Sequence, residues 1–293
     1  MSRFVPRRPL GRTGFLATAL GIGDLADAAL PLETLVATLV RALDRGLNLV
    51  DTAPSYEQGL SERVVGAALR GRREGVFLID KVDHLDQPVA PQVAGSLERL
   101  GLPAADAFVF HAVNDLAVWD GLAAPGGGLE QLGREVAAGR ARFRGISSHD
   151  PAVLLRAIPT GLLDLVMFPL GPWVDPRYER EVLPLARAAG VGTVCFKTFG
   201  AGKLLGDTEG YQRPLAAGRG LPRMSVVECL EYTLTLDPDV ALLGLSTPAE
   251  QDEAFAATEA ARRLSPEELA ARRERARLAI ANKGPVWWNP GER

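Results

Sequence analysis

Short, continuously apolar runs alternate with segments of helical periodicity along nearly the whole chain, and this alternation leaves few folds open. The strand-like runs lie at 16–21, 47–50, 76–80, 107–110, 142–145, 163–167, 193–196 and 240–243. The helical segments lie at 32–43, 62–69, 89–100, 129–138, 152–158, 177–189, 225–236 and 249–262. In the first of these, Leu35, Leu39, Val40 and Leu43 show the spacing that places apolar side chains on one helix face. The strand runs lack polar alternation, as a parallel sheet covered on both faces requires. The pattern predicts an α/β fold, a single (β/α)8 TIM barrel. A doubly wound open sheet is the alternative, but no Gly-x-Gly-x-x-Gly opens a helix after the first strand.

The flanks carry their own signals. Residues 4–14 are rich in Pro and Arg and end in Gly11-Arg12-Thr13-Gly14, which predicts a hairpin or cap over one end of the barrel. Ser265-Pro266-Glu267-Glu268 is a capping box with proline at the first helical position, and it opens an extra C-terminal helix to about Ala281. Arg272, Arg273, Arg275 and Arg277 give that helix a solvated charged face. The paired Trp287 and Trp288 predict a docked tail, either walling a pocket over the barrel mouth or packed on the barrel side, and packing is the expectation. Residues 1–293 read as one domain, with a core at about 10–262 and the C-terminal helix and tail at 263–293. An apolar content of 47% over 293 residues suffices for one large core.

A net charge of −3 and a pI near 5.8 provide no field for nucleic acid or an anionic membrane. No apolar run approaches the roughly 20 residues of a bilayer span, and the basic start Met1-Ser2-Arg3-Phe4 lacks the apolar core of a signal peptide. Cys195 and Cys229 fall inside a predicted strand and helix, as reduced core residues of a cytoplasmic protein would. With 3 His and no Cys/His cluster, no metal site is expected.

The ends of three successive strands are ionisable. Leu47–Val50 runs into Asp51, the third run into Lys81, the fourth into His111, and Tyr56 lies just beyond the first of these. Singly, Asp51 could cap the helix that begins near Ser61, Lys81 could form a structural ion pair, and His111 could be a satisfied core histidine. Together they point to an active site at a barrel mouth, where successive strands deliver their C-terminal residues. The chemistry fits a carbonyl substrate. A carbonyl oxygen that gains charge needs a proton. A free tyrosine, with a pKa of about 10, gives one reluctantly. An ammonium beside it stabilises the phenolate, and a carboxylate keeps that ammonium charged and oriented. His111 would hold the carbonyl oxygen, as a donor tautomer or as the acid itself.

This Asp51, Tyr56, Lys81, His111 set resembles the catalytic tetrad of the aldo-keto reductases. So do the motifs around it: Asp51-Thr52-Ala53-Pro54-Ser55-Tyr56 with Ser61-Glu62, Gly145-Ile146-Ser147-Ser148-His149, and Phe196-Lys197-Thr198-Phe199-Gly200-Ala201-Gly202. The likeness runs over about 10–255 and implies NAD(P)H-dependent reduction of aldehyde or ketone carbonyls of small molecules, of carbonyl reductase or alcohol dehydrogenase type. By resemblance Phe196 stacks on the nicotinamide, while Gly23 and Asp24 line it beside Asp51. Lys197, Thr198, Phe199, Gly200, Gly202 and Leu204 follow the pyrophosphate, and Gly244, Ser246, Thr247 and Glu250 lie at the adenosine end.

The sequence departs from the family pattern in places. The usual Ser-Asn pair that clamps the carboxamide is Ser147-Ser148, with His149 next, and the usual glutamine of strand six is Met167. Glu250 stands at the usual arginine position, and Ala254 also replaces a usual 2′-phosphate ligand. The family implies NADP(H); Glu250, Asp252 and Glu253 would repel a 2′-phosphate and suit the free 2′-hydroxyl of NAD(H). Lys203, Arg213 or Arg219 in the strand-seven loop are the cations that could restore NADP binding. Trp119, in the long loop 112–128, and Trp173, after Gly171-Pro172, are candidate walls of the substrate pocket. The expected partner is a small-molecule carbonyl compound bound by a monomer or small homo-oligomer. The alternatives are a non-catalytic nicotinamide-binding regulatory or redox-sensing module on the same fold, and a lyase with Lys81 as Schiff base.

Overall fold

In the computed structural model, which describes residues 4–23, 27–210, 215 and 220–290, a parallel sheet closes on itself as a barrel. The chain begins with a two-stranded antiparallel hairpin, β1 Arg7–Pro9 and β2 Leu16–Thr18. The barrel strands follow in sequence order: β3 Leu20–Gly23, β4 Leu49–Asp51, β5 Phe77–Val82, β6 Ala107–Phe110, β7 Phe143–Ser147, β8 Leu165–Pro169, β9 Gly192–Phe196 and β10 Val240–Leu243. Parallel pairing of β10 with β3, Leu242 opposite Gly21, closes the ring. The first strand differs from the expectation over 16–21. Leu16–Thr18 belongs to the hairpin, and Leu16 is exposed as no barrel residue could be; Ile22 and Gly23, expected in a loop, complete the first barrel strand.

The helices are α1 Leu32–Asp44, α2 Leu60–Leu69, α3 Val89–Leu100, α4 Leu116–Ala123, α5 Gly128–Ala137, α6 Pro151–Ala157, α7 Leu183–Ala188, α8 Val226–Thr235, α9 Pro248–Glu259 and α10 Pro266–Ile280. Each of α8, α9 and α10 opens with a capping box, from Ser225 and Glu228, Thr247 and Glu250, and Ser265 and Glu268. The expected helix over 177–189 starts as a π-helical turn, Tyr178–Val182, before α7. The expected long loop 112–128 instead contains α4, capped by the Asp115 carboxylate, which accepts from Ala117 N–H at 2.7 Å and Val118 N–H at 3.2 Å. Trp119, expected in that loop as a pocket wall, is 1% exposed within the core between barrel and helices.

Alternation along each strand separates two cores. Leu49, Phe77, Ile79, Ala107, Val109, Leu165, Met167, Val194, Val240 and Leu242 fill the barrel interior, whereas their strand neighbours Val50, Leu78, Phe108, Phe110, Val166 and Phe168 pack under the helices. The hairpin seals the lower end: Leu10 and Ala17 are fully buried, Phe15 lies 5.2 Å from Phe77, and Phe77 stacks on Phe143 at 5.8 Å between ring centroids. At the hairpin tip Gly11 has φ +47°, and a Cβ there would lie 2.3 Å from the Gly192 nitrogen, so only glycine lets the cap approach β9. Among the described residues no helix is long and apolar enough to cross a membrane.

Candidate active site

Parallel strands in register end at one rim, so β4, β5 and β6 deliver Asp51, Lys81 and His111 to adjacent places. Asp51 and Lys81 are each 2% exposed. The Lys81 ammonium donates to both Asp51 carboxylate oxygens and to the Thr52 carbonyl, each at 2.7 Å. Burial would pull the lysine down, but Asp51 and the neighbouring Tyr56 outweigh it and hold Lys81 above its ordinary value, as an ammonium. That state opposes the Schiff-base alternative, which needs a neutral amine. Gly23, on the adjacent strand, keeps the far side of Asp51 clear, since a Cβ there would stand 3.3 Å from Asp51 Oδ2.

Tyr56 enters on a tight turn, Tyr56–Gly59, in which Glu57 and Gln58 take φ of 46° and 53°. Its ring is met by Lys81 Nζ at 4.6 Å from the centroid and by the His111 ring, edge-on, at 5.6 Å. The Ser61-Glu62 motif supports this turn from behind. Ser61 Oγ accepts from Thr52 Oγ1–H at 2.8 Å, and the fully buried Glu62 carboxylate is gripped by Arg99 of α3. On the outward face of β5, Asp80 Oδ1 accepts the Lys81 N–H at 2.7 Å; burial, and Glu62 beside it, push this carboxyl well above its usual range.

One charged residue here was not singled out from the sequence. Asp83 Oδ1 lies 2.5 Å from His111 Nδ1, and its Oδ2 accepts the Ser55 N–H at 2.7 Å, next to Tyr56. Burial alone would raise the Asp83 carboxyl, but the bond to His111, with the Ser55 N–H, brings it below its ordinary value. Strand periodicity was the usable signal, because residues two apart share a face and Asp83 follows Lys81 by two.

The later loops place the proposed cofactor residues less uniformly. Phe196 ends β9 half-buried, with the His149 ring 5.1 Å away and Lys197 Nζ 5.6 Å from its centroid. Lys197 has φ 72°, which turns the chain sharply into Thr198, Phe199, Gly200 and Gly202. Thr198 Oγ1 is buried without a hydrogen bond, an unmet polar group in the segment expected to meet a pyrophosphate. Ser147 Oγ accepts the Ala112 N–H at 2.8 Å, just past His111. Ser148 departs from the clamp expected of it: it is fully buried and its hydroxyl bonds Asp150 O at 3.2 Å and Asp150 N–H at 3.0 Å, securing the turn into α6. The His149 N–H is instead fixed by Asn114 Oδ1 at 2.6 Å, a residue the sequence reading passed over. Met167 lies inside the barrel at 1% exposure. Asp24, Arg213 and Arg219 lie outside the described residues.

Beyond Gly244, in the segment expected to meet the adenosine, Glu250 is turned back on its own backbone. Its Oε2 accepts the Ser246 N–H at 2.8 Å and the Thr247 N–H at 3.0 Å, while Thr247 Oγ1 caps the Glu250 N–H at 3.2 Å. Asp252, expected to add repulsion there, points to α1, where Arg41 holds it at 2.8 Å and Arg45 at 2.5 Å. Lys203, one of the cations that could restore NADP binding, is turned inward to the C-terminal tail. It is fully buried, donates to the Pro285 carbonyl at 2.7 Å, and sits 4.8 Å from the Trp287 ring and 5.7 Å from the Trp288 ring. The tail therefore docks on the loops after β8 and β9 rather than on the barrel side. Trp288 is 0% exposed and donates to the Trp173 carbonyl at 3.1 Å, and the Arg273 guanidinium lies 5.8 Å from the Trp173 ring. Trp173 thus anchors α10 and the tail.

The family model described as "Aldo/keto reductase family" matches residues 18–272. The chain is 34% identical over 145 residues to the methylglyoxal reductase YeaE of Escherichia coli; that match spans 48% of this chain and 49% of the relative, about half of each. It is 27% identical over 227 residues to an NADH-specific methylglyoxal reductase of E. coli, 68% of either chain. Among solved structures, the holo form of an aldo-keto reductase from Bacillus halodurans superposes with a TM-score of 0.75 at 25% identity, covering 94% of this chain and 98% of that one.

Proposed function

The chain belongs to the aldo/keto reductase family, and from that premise we propose that it reduces aldehyde or ketone groups of small molecules with Tyr56 as proton donor. What supports this reading is one arrangement: a buried ion pair, Lys81 on Asp51 at 2.7 Å, whose ammonium stands 4.6 Å from the Tyr56 ring, with the His111 ring edge-on to it at 5.6 Å. Gly23, Phe196 and the segment through Leu204 would hold a reduced nicotinamide dinucleotide, which would supply the hydride to the carbonyl carbon. The unmet Thr198 hydroxyl and the room left by Gly23 beside Asp51 fit such a group. The protein's own part is the oxygen. As negative charge develops there, the Tyr56 O–H gives up its proton, the fixed ammonium stabilises the phenolate left behind, and Asp51 keeps that ammonium in place without solvent rearrangement. Small carbonyl compounds suit a mouth bounded by Tyr56, His111, His149 and Phe196.

For the dinucleotide, we read NAD(H) as the better fit. Backbone N–H groups at a helix N-terminus are where an added phosphate would bind, and at α9 two of them already hold Glu250. A 2′-phosphate must displace and face that carboxylate, whereas a free ribose 2′-hydroxyl can donate to it. The relative named as NADH-specific agrees with this direction. Fluorescence titration with both reduced dinucleotides, followed by turnover on a panel of aldehydes, is the test. NADH binding at least as tightly as NADPH is expected, and Glu250→Ala should strengthen NADPH binding by about tenfold, the scale of one charge contact (about 1.4 kcal/mol). Much tighter NADPH binding by the unaltered protein would overturn the NAD(H) reading; no turnover with either would overturn the activity.

A further inference from the structure

The Asp83–His111 contact fixes more than an orientation. A neutral imidazole carries one proton, and which nitrogen holds it is set by the bond the other makes. Both Asp83 oxygens act as acceptors, one toward His111 Nδ1 at 2.5 Å and one from the Ser55 N–H at 2.7 Å. An ionised carboxylate can only accept, so Nδ1 must donate. Nε2, on the opposite side of the ring, then carries a proton only when the ring is an imidazolium. The groups around His111 are Asp83 from the segment after β5, Tyr56 from the turn after β4, and behind Tyr56 the Asp51–Lys81 pair. Of these, Asp83 is hydrogen-bonded to the ring.

We infer that Asp83 is a positioning residue for His111, pinning the neutral imidazole proton on Nδ1, so that Nε2 faces a substrate oxygen as a donor in the imidazolium form and as an acceptor in the neutral form. This deepens the carbonyl chemistry proposed above and rests on it. In the reductive direction the imidazolium donates a hydrogen bond to the carbonyl oxygen. In the alcohol direction that step is reversed: the O–H proton passes to the Tyr56 phenolate, the C–H hydrogen would leave as hydride for an oxidised dinucleotide, and Nε2 meets the substrate oxygen as a donor only in the imidazolium form.

Two measurements test this on the full chain. The first is long-range 1H–15N NMR of the imidazoles in protein without dinucleotide. The chain has 3 His, and His111→Gln identifies the relevant signals. The neutral ring should be the Nδ1–H tautomer and change to Nε2–H in Asp83→Ala. The second is the pH profile of carbonyl reduction. Asp83→Ala should extend reduction to higher pH, because the neutral ring can then donate from Nε2. In a His111→Gln background, Asp83→Ala should produce no such extension. An Nε2–H tautomer in the unaltered protein, or a reduction profile that Asp83→Ala leaves unshifted, would overturn the inference. The spectra need no turnover, so failure of the proposed activity and failure of the tautomer assignment are separable.

Discussion

At the floor of the barrel Phe15, Phe77 and Phe143 stack beneath the hairpin, whereas at the mouth Asp51, Lys81, Asp83 and His111 are turned on one another. The floor gains from apolar burial, which is non-directional and tolerant of small shifts. The mouth holds charges away from water, which stabilises only when the partners meet at hydrogen-bonding distance. Its backbone departs from the ordinary as well. Ala112 and Lys197, directly after His111 and Phe196, have φ of 55° and 72°. Such conformations typically cost about 1–3 kcal/mol each and persist where the surroundings impose them. One end of the same sheet is therefore built for stability, and the other holds reactive groups in place at some expense to it.

That contrast can be broken by substitution. The largest effect is expected from Lys81→Met, which touches both reactivity and stability. It removes the ammonium beside Tyr56 and leaves Asp51 buried without its partner. Turnover should be abolished and unfolding free energy should fall by about 3–5 kcal/mol, read by denaturant titration. Unchanged stability would show that Asp51 finds water or another donor. Tyr56→Phe should separate the two properties: turnover falls by about 10²–10⁴-fold, while the melting temperature and dinucleotide titration stay where they were. Undiminished reduction by that variant would remove Tyr56 as the acid. Phe77→Ala should do the reverse, costing about 3–5 kcal/mol of stability with turnover per folded molecule retained. A large loss of turnover in the folded fraction would mean that the floor tunes the mouth.

The smallest effect concerns pH. The Asp83 carboxyl is held below its ordinary value of 3.8 in the folded chain. The stability it contributes is whole above that value and is lost as pH falls through the lower folded one. The melting temperature of the unaltered protein should therefore decline more steeply below about pH 4 than that of Asp83→Asn. Parallel declines would place the carboxylate's interactions outside the folding balance.

Much of this molecule is local and periodic, and those parts were readable from the chain alone. Continuous apolar runs and three-to-four spacing gave strands and helices in the right order, because each element buries one face whatever its distant neighbours are. The positions of Asp51, Lys81 and His111 followed from the same rule, since parallel strands finish at one rim. α4 was hidden because the Pro125-to-Gly128 run reads as loop, although Asp115 offered a cap. Trp119 looked available for a pocket and is core.

Contacts between segments far apart in sequence were decided by tertiary structure. Lys203 reads as a cation for a phosphate, yet Pro285, Trp287 and Trp288 enclose it from some eighty residues away. Asp252 reads as repulsion beside α9 and is neutralised by Arg41 and Arg45 of the α1 region. Asp83 reads as one more loop aspartate until the folded barrel brings it to His111. The sequence by itself determined the barrel and which strand ends carry ionisable groups, because periodicity and strand direction are properties of the chain. The partner of each charge was determined only by the fold, because a side chain of either sign can be buried or solvated, and which of these occurs depends on what the closing barrel places beside it.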